Sequence, residues 1–196
     1  MAYVVAVIAG LAFGAADQYL GSRSALGGWA AAVSGLSAPW LVVPFVAGMT
    51  QEHARRAMVL GLVVTLSALV GYIAMTYSPV ENVPVSGFLP GVVAMTTSGY
   101  NPVWILGGIL TGPLYGFLGQ RWRVRRSWVS AVLVTMALTL EPLARRTAGM
   151  LPPEPLVWGT EVAVGTLAAI VFLSVIVFSR RARRPVTEGS SPVGRA

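Results

Sequence analysis

Three carboxylates stand inside or at the edge of long apolar stretches of this 196-residue chain: Asp17, Glu141 and Glu161. A charged group in hydrocarbon is costly, so such residues face the protein interior, pair, or take part in proton chemistry. At a helix rise of about 1.5 Å per residue, Asp17 lies about 22 Å from the start of its span, Glu141 about 21 Å from Ser127, and Glu161 about 25 Å from Phe178. With the span directions argued below, all three reach one level in the outer third of a membrane. Gln18, Tyr19, Trp29, Trp40, Tyr100, Asn101, Trp104 and Trp158 fall near that level too. Acids beside aromatic rings in an apolar cavity suit protonation of an alkene. A carboxylic acid delivers the proton, ring faces stabilise the cation, and apolar walls fold the substrate and keep water away. This chemistry calls for no metal or nucleotide cofactor, and the sequence holds no Asp-rich diphosphate–magnesium motif.

Plainer roles stand beside these. Asp17 and Glu141 lie near span ends, where water or Arg23, Arg145 and Arg146 could neutralise them. Tryptophans at that depth also form interfacial belts. His53, the single histidine, reads as a solvated loop residue, and the absence of cysteine removes thiolate and disulfide chemistry.

The elements that would position the acids are membrane helices. The chain is 55% hydrophobic and 11% charged, against about 25% charged in soluble domains. The fold class expected is all-α, a polytopic bundle of six spans. The first five run roughly 2–20, 26–49, 57–77, 102–119 and 127–143, and the last ends at Phe178 with Glu161 roughly one turn inside its other end, each near the length that crosses about 30 Å of hydrocarbon. Residues 1–178 form one bundle, and 179–196 form a basic tail whose Pro, Gly and Ser content suits disorder. Pro39 and Pro44 predict a kinked second span. The stretch 78–101, apolar but broken by prolines and glycines, is expected to be an external lid or a re-entrant loop.

Arginine supplies all 14 basic residues and the formal charge of +7. Their placement argues for topology rather than nucleic-acid binding. Arg55, Arg56, Arg121, Arg123, Arg125, Arg126 and the tail arginines fall on one side of a six-span path; Arg23, Arg145 and Arg146 fall on the other. By the positive-inside rule both ends are cytoplasmic, in a multi-pass protein of the plasma membrane. The partners expected are lipid and a lipophilic small molecule. Gly10-x-x-x-Gly14 and Gly112-x-x-x-Gly116 form a weak internal echo, of the kind that inverted repeats leave in transporters.

The runs Gly10-Leu-Ala-Phe-Gly14-Ala-Ala-Asp17-Gln-Tyr-Leu-Gly21, Leu110-Thr-Gly-Pro-Leu-Tyr-Gly116, Glu141-Pro-Leu-Ala144 and Trp158-Gly-Thr-Glu161-Val-Ala-Val-Gly165 resemble a family of small actinobacterial six-span membrane proteins of mostly unknown function. The likeness extends to the membrane-bound terpene cyclases of bacterial indole-sesquiterpenoid pathways. That resemblance implies proton-initiated cyclisation of a prenylated indole, with Asp17, Glu141 and Glu161 as candidate acids and Glu161 the first choice. Gln18, Tyr19, Trp29, Trp40, Tyr100, Trp104 and Trp158 would line the substrate site. On size and topology the chain is also similar to the vitamin-binding subunits of energy-coupling transporters. In that reading the first helix docks on a partner through Ala6, Gly10 and Gly14.

Overall fold

The computed structural model describes residues 1–81, 88–97, 101–147, 149 and 154–182. Its helices are α1 (Ala2–Ser22), α2 (Gly28–Ser34), α3 (Ala38–Met49), α4 (Ala54–Thr76), α5 (Phe88–Thr97), α6 (Asn101–Arg125), α7 (Trp128–Thr147) and α8 (Pro155–Ala182), with a short 3-10 turn at Ser24–Leu26. No strand occurs among the described residues. Four helices, α1, α4, α7 and α8, are long and apolar enough to cross a membrane. The pair α2 and α3, bent by 49°, makes a fifth if taken as one span. At 25 residues, α6 is about 37 Å long, but glycines and a polar last turn dilute its apolar character.

Small residues set the packing, because in lipid close backbone approach replaces the hydrophobic drive between helices. α4 is the spine. α1 lies on it through Gly10 and Gly14, where a methyl group would overlap the carbonyls of Val64 and Ala68. α6 lies on a second stretch of α4, with Gly112 and Gly116 against Gly61 and Ala57. α3 meets α6 where Gly48 abuts the Gly116 carbonyl and Gly119 abuts that of Phe45. α7 and α8 pack along each other, Gly165 against Leu138 and Thr139.

Polar contacts gather at the two ends. At one, Ser22 Oγ donates to Glu81 Oε1 at 2.6 Å and Arg23 donates to the Val80 carbonyl at 3.1 Å, tying the close of α1 to the close of α4. At the other, Gln120 donates to the Glu52 carbonyl at 2.7 Å and Arg123 to that of Thr50 at 2.6 Å. Beside this end Trp122, Phe172 and Phe45 pack edge to face, with centroids 4.5 Å and 6.2 Å apart in turn.

Several sequence expectations shift. The second span does not merely kink at proline: it breaks at Gly35–Ser37, while Pro44 lies inside α3. Pro39 sits in the first turn of α3, where its missing N–H costs nothing. The basic stretch 120–126 is largely helix, because Gln120 and Trp122 point inward and are buried. Arg126 alone, at φ 48°, turns the chain into α7. α7 runs through Pro142 to Thr147. Within 78–101 the described part holds α5, whose 10 residues span about 15 Å and cannot cross a bilayer. The tail expected from 179 is helical to Ala182; from 183 it lies outside the described residues. Finally, Ala6, Gly10 and Gly14 are buried against α4, so they are not a free docking face for a partner.

Candidate functional site

The break between α2 and α3 is the centre of the site. Where a helix stops in lipid, the first N–H groups of the next helix need partners. Here they come from α7. Glu141 accepts from the backbone N–H of Ser37 through Oε1 and of Ala38 through Oε2, each at 2.7 Å. Arg145, one turn further on, donates to Glu141 Oε1 from Nε at 2.8 Å, and its Nη2 lies 2.6 Å from the same oxygen in an ion pair. Its Nη2 also reaches the Gly35 carbonyl and, at 3.3 Å, Ser37 Oγ. Both the acceptor left at the end of α2 and the donors at the start of α3 are thus held by one ion pair. The negative charge at the N-terminus of α3 complements the helix dipole as well.

On the other side of the break lies a cavity of about 520 Å³. The break itself, Ser34 to Ser37, forms one wall, continued by Trp40 and Leu41 of α3. From α4 come Thr65, Leu69, Tyr72 and Ile73, spaced as one helical face. α6 adds Ile105, Gly107, Gly108 and Thr111. α1 contributes Asp17, the only carboxylate among the described lining residues. The hydroxyls of Thr65 and Thr111 donate to carbonyls on their own helices, at 2.9 Å and 2.8 Å, so they bring little unmet polarity.

Trp40 organises the interior. Its Nε1 donates to Asp17 Oδ2 at 3.2 Å. Its ring meets Phe13 edge to face at 5.2 Å and Tyr72 at 6.2 Å between centroids. Asp17 is buried, at 9% exposure. A carboxyl group thus sits beside a packed aromatic cluster in an otherwise apolar chamber, an arrangement able to hold a lipophilic molecule and pass it a proton.

Glu161 stands elsewhere. It is 6% exposed, and neither carboxyl oxygen has a hydrogen-bond donor among the described residues. Its charged neighbours are Glu141 and Arg145. The three acids therefore divide: Asp17 lines the cavity, Glu141 braces the cavity wall from behind, and Glu161 lies against that brace. Arg145 takes the counter-ion role foreseen for it, whereas Arg23 stacks over the Tyr19 ring at 4.7 Å instead of meeting Asp17.

Among the aromatic candidates whose side chains are described, Trp40 alone lines the cavity. Trp29 is half exposed and Tyr19 is exposed, while Gln18 and Trp158 are partly buried away from the lining. Tyr100 and the side chain of Trp104 lie outside the described residues. Sequence reasoning missed Tyr72, Thr65, Thr111 and the Ser34–Ser37 wall. The spacing of Thr65, Leu69, Tyr72 and Ile73 was a usable signal, since it sets two polar side chains on one face of an apolar helix. No protein-family model, no curated protein and no solved structure matches the chain.

Proposed function

We propose that the chain is a six-span plasma-membrane protein with both ends cytoplasmic, and that its cavity is the site of a membrane-bound, proton-initiated terpene cyclase. For the topology, the six spans are α1, the broken pair α2–α3, α4, α6, α7 and α8. The polar contacts support that path. Loops that six crossings send to one side touch one another: 22–23 with 80–81 at one end, 49–52 with 120–123 at the other. The arginine-rich end is the cytoplasmic one, which sets Asp17, the break and Arg145 in the outer half.

For the activity, one observation carries the reading: Asp17 is the carboxyl of an apolar cavity and is held against Trp40, whose ring packs with Phe13 and Tyr72. The substrate class is a lipophilic prenylated molecule, such as a prenylated indole, entering from the bilayer. Asp17 moves ahead of Glu161 as proton donor, because Glu161 is not among the cavity-lining residues. Trp40 fixes one carboxyl oxygen, and the other carries the proton. Transfer of that proton to a terminal alkene leaves a carbocation beside the rings of Trp40 and Tyr72. Ring closure follows as the next alkene attacks, and return of a proton from an adjacent carbon to the Asp17 carboxylate restores both neutrality and the acid. The product is an isomer of the substrate. A cavity of about 520 Å³ lies in the range of small-molecule sites, about 300–1,000 Å³.

The experiment is product analysis. Membranes containing the chain are incubated with farnesylated and geranylated indoles and examined by mass-resolved chromatography. A cyclised isomer of unchanged mass is expected, and it should vanish in Asp17→Asn. If no prenyl substrate is turned over, the cyclase reading fails. The break favours a second reading, since discontinuous helices line substrate sites in transporters. That reading, a substrate-binding subunit, requires retention of a small molecule unchanged.

A further inference from the structure

The cavity wall is held by side chains that do not belong to the cavity. Glu141 and Arg145 satisfy Ser37 N–H, Ala38 N–H and the Gly35 carbonyl, and these backbone groups belong to the same break that lines the chamber. Against this brace lies Glu161 of α8, more than nine-tenths buried, with no hydrogen-bond donor to either oxygen among the described residues and the Glu141 carboxyl beside it, close enough to share a proton. The charged groups facing it from α7 are Glu141 and Arg145. α2, which also packs on α8, carries no titratable residue; α3 and α6 meet α8 through Phe45 and Trp122 at Phe172, about three turns from Glu161; and just before α8, Glu154 lies nearly two turns earlier, beside Gly28.

Charge balance then decides the state of the brace. Glu141 and Arg145 already form a neutral pair. A third, negative group would leave two carboxylates to one guanidinium in a buried setting, which is costly. With a proton on Glu161 the pair remains intact. Without it, the guanidinium is drawn towards two carboxylates, and its bonds to Gly35 and Ser37 are the ones it gives up.

We infer that Glu161 is a proton-binding site separate from the Asp17 cavity, and that its proton governs whether the α2–α3 break is held against the chamber. Protonated, Glu161 leaves Arg145 on the break and the wall stays closed. Deprotonated, it competes for Arg145, and the wall at Ser34–Ser37 loosens. This inference uses the cavity as described but not the identity of its occupant. Its test therefore reads no turnover and fails separately from the cyclase reading.

Two measurements test it on the full chain in liposomes. Infrared spectroscopy of the parent across a pH titration should show a carbonyl band of a protonated carboxylic acid that disappears as pH rises. The Glu161 component of that band is lost in Glu161→Gln and kept in Asp17→Asn, whereas a component from Asp17 behaves the opposite way. Because the chain has no cysteine, Ser34→Cys gives a single label on the cavity wall, and Thr160→Cys gives an exposed reference. The ratio of their labelling rates by a small thiosulfonate should rise with pH, by up to about tenfold per pH unit for one linked proton. In Glu161→Gln, which keeps the neutral form, the ratio should stay low throughout. The infrared titration on the parent keeps the test open should Glu161→Gln not fold. A band absent at every pH, the lack of any component that Glu161→Gln removes, or a labelling ratio that rises equally in that variant would overturn the inference.

Discussion

Trp40 ties binding to stability at the level of a single side chain. It is the hydrogen-bond donor to a buried carboxyl and the hub of three packed rings. Trp40→Phe keeps much of the packing but removes the donor. It should lower stability by about 1–3 kcal/mol, the cost of a buried polar group left unmet, read as a shift in the unfolding midpoint in detergent. Removing Glu141 should cost more. Glu141→Ala strands the Arg145 guanidinium and two backbone N–H groups, for which about 3–5 kcal/mol is expected. If Glu141→Ala unfolds like the parent, the ion pair does not brace the break. Legibility at this scale was partial for a clear reason. Distance along a span can be counted from sequence, so candidate acids could be sorted by depth. Direction around the span could not, because α8 is apolar on all sides and gives no periodic clue to its inner face. Glu161 was thus grouped with Asp17, although it faces α7.

The helices show the same split between local and distant information. Their existence and most boundaries followed from apolar run length and arginine placement. The break at Gly35–Ser37 did not, since prolines drew attention to Pro39 and Pro44 instead. A helix can stop there only because Glu141 and Arg145, more than 100 residues later, supply its missing bonds, and no local pattern encodes that. Glycines offer the direct test of packing. Gly14→Ala would drive a methyl into the Ala68 carbonyl and should cost about 1–3 kcal/mol by overpacking. Gly159→Ala meets open space and should be neutral, or stabilising by about 0.5–1 kcal/mol through helix propensity. Equal effects of the two substitutions on the unfolding midpoint would contradict the tight α1–α4 seam.

For the whole molecule, the path of the chain is the first thing to establish. Single cysteines at Ser24 and Gly149 should react with an impermeant reagent added outside intact cells, whereas one at Gln51 should react only after lysis. Outside labelling of Gln51 would reverse the topology and place the cavity in the inner half. The bundle is also unevenly knit. α1, α3, α4 and α6 interlock through glycines, while α7 and α8 pack chiefly on each other. They join the rest through the ion-pair brace at the α2–α3 break and the Phe45–Trp122–Phe172 cluster near the arginine-rich end.

Glu141 and Arg145 stand four residues apart on one helix, which bears on how the protein is assembled. α7 brings a counter-ion for Glu141 on its own next turn, so that this carboxylate can pass from the insertion machinery into lipid already paired, before it meets α3. α8 emerges last with Glu161, which has no such companion on its own turn. By then the earlier helices and the paired charges of α7 are in place to receive it. For these two helices, then, the order along the chain sets a paired charge in place before Glu161 arrives.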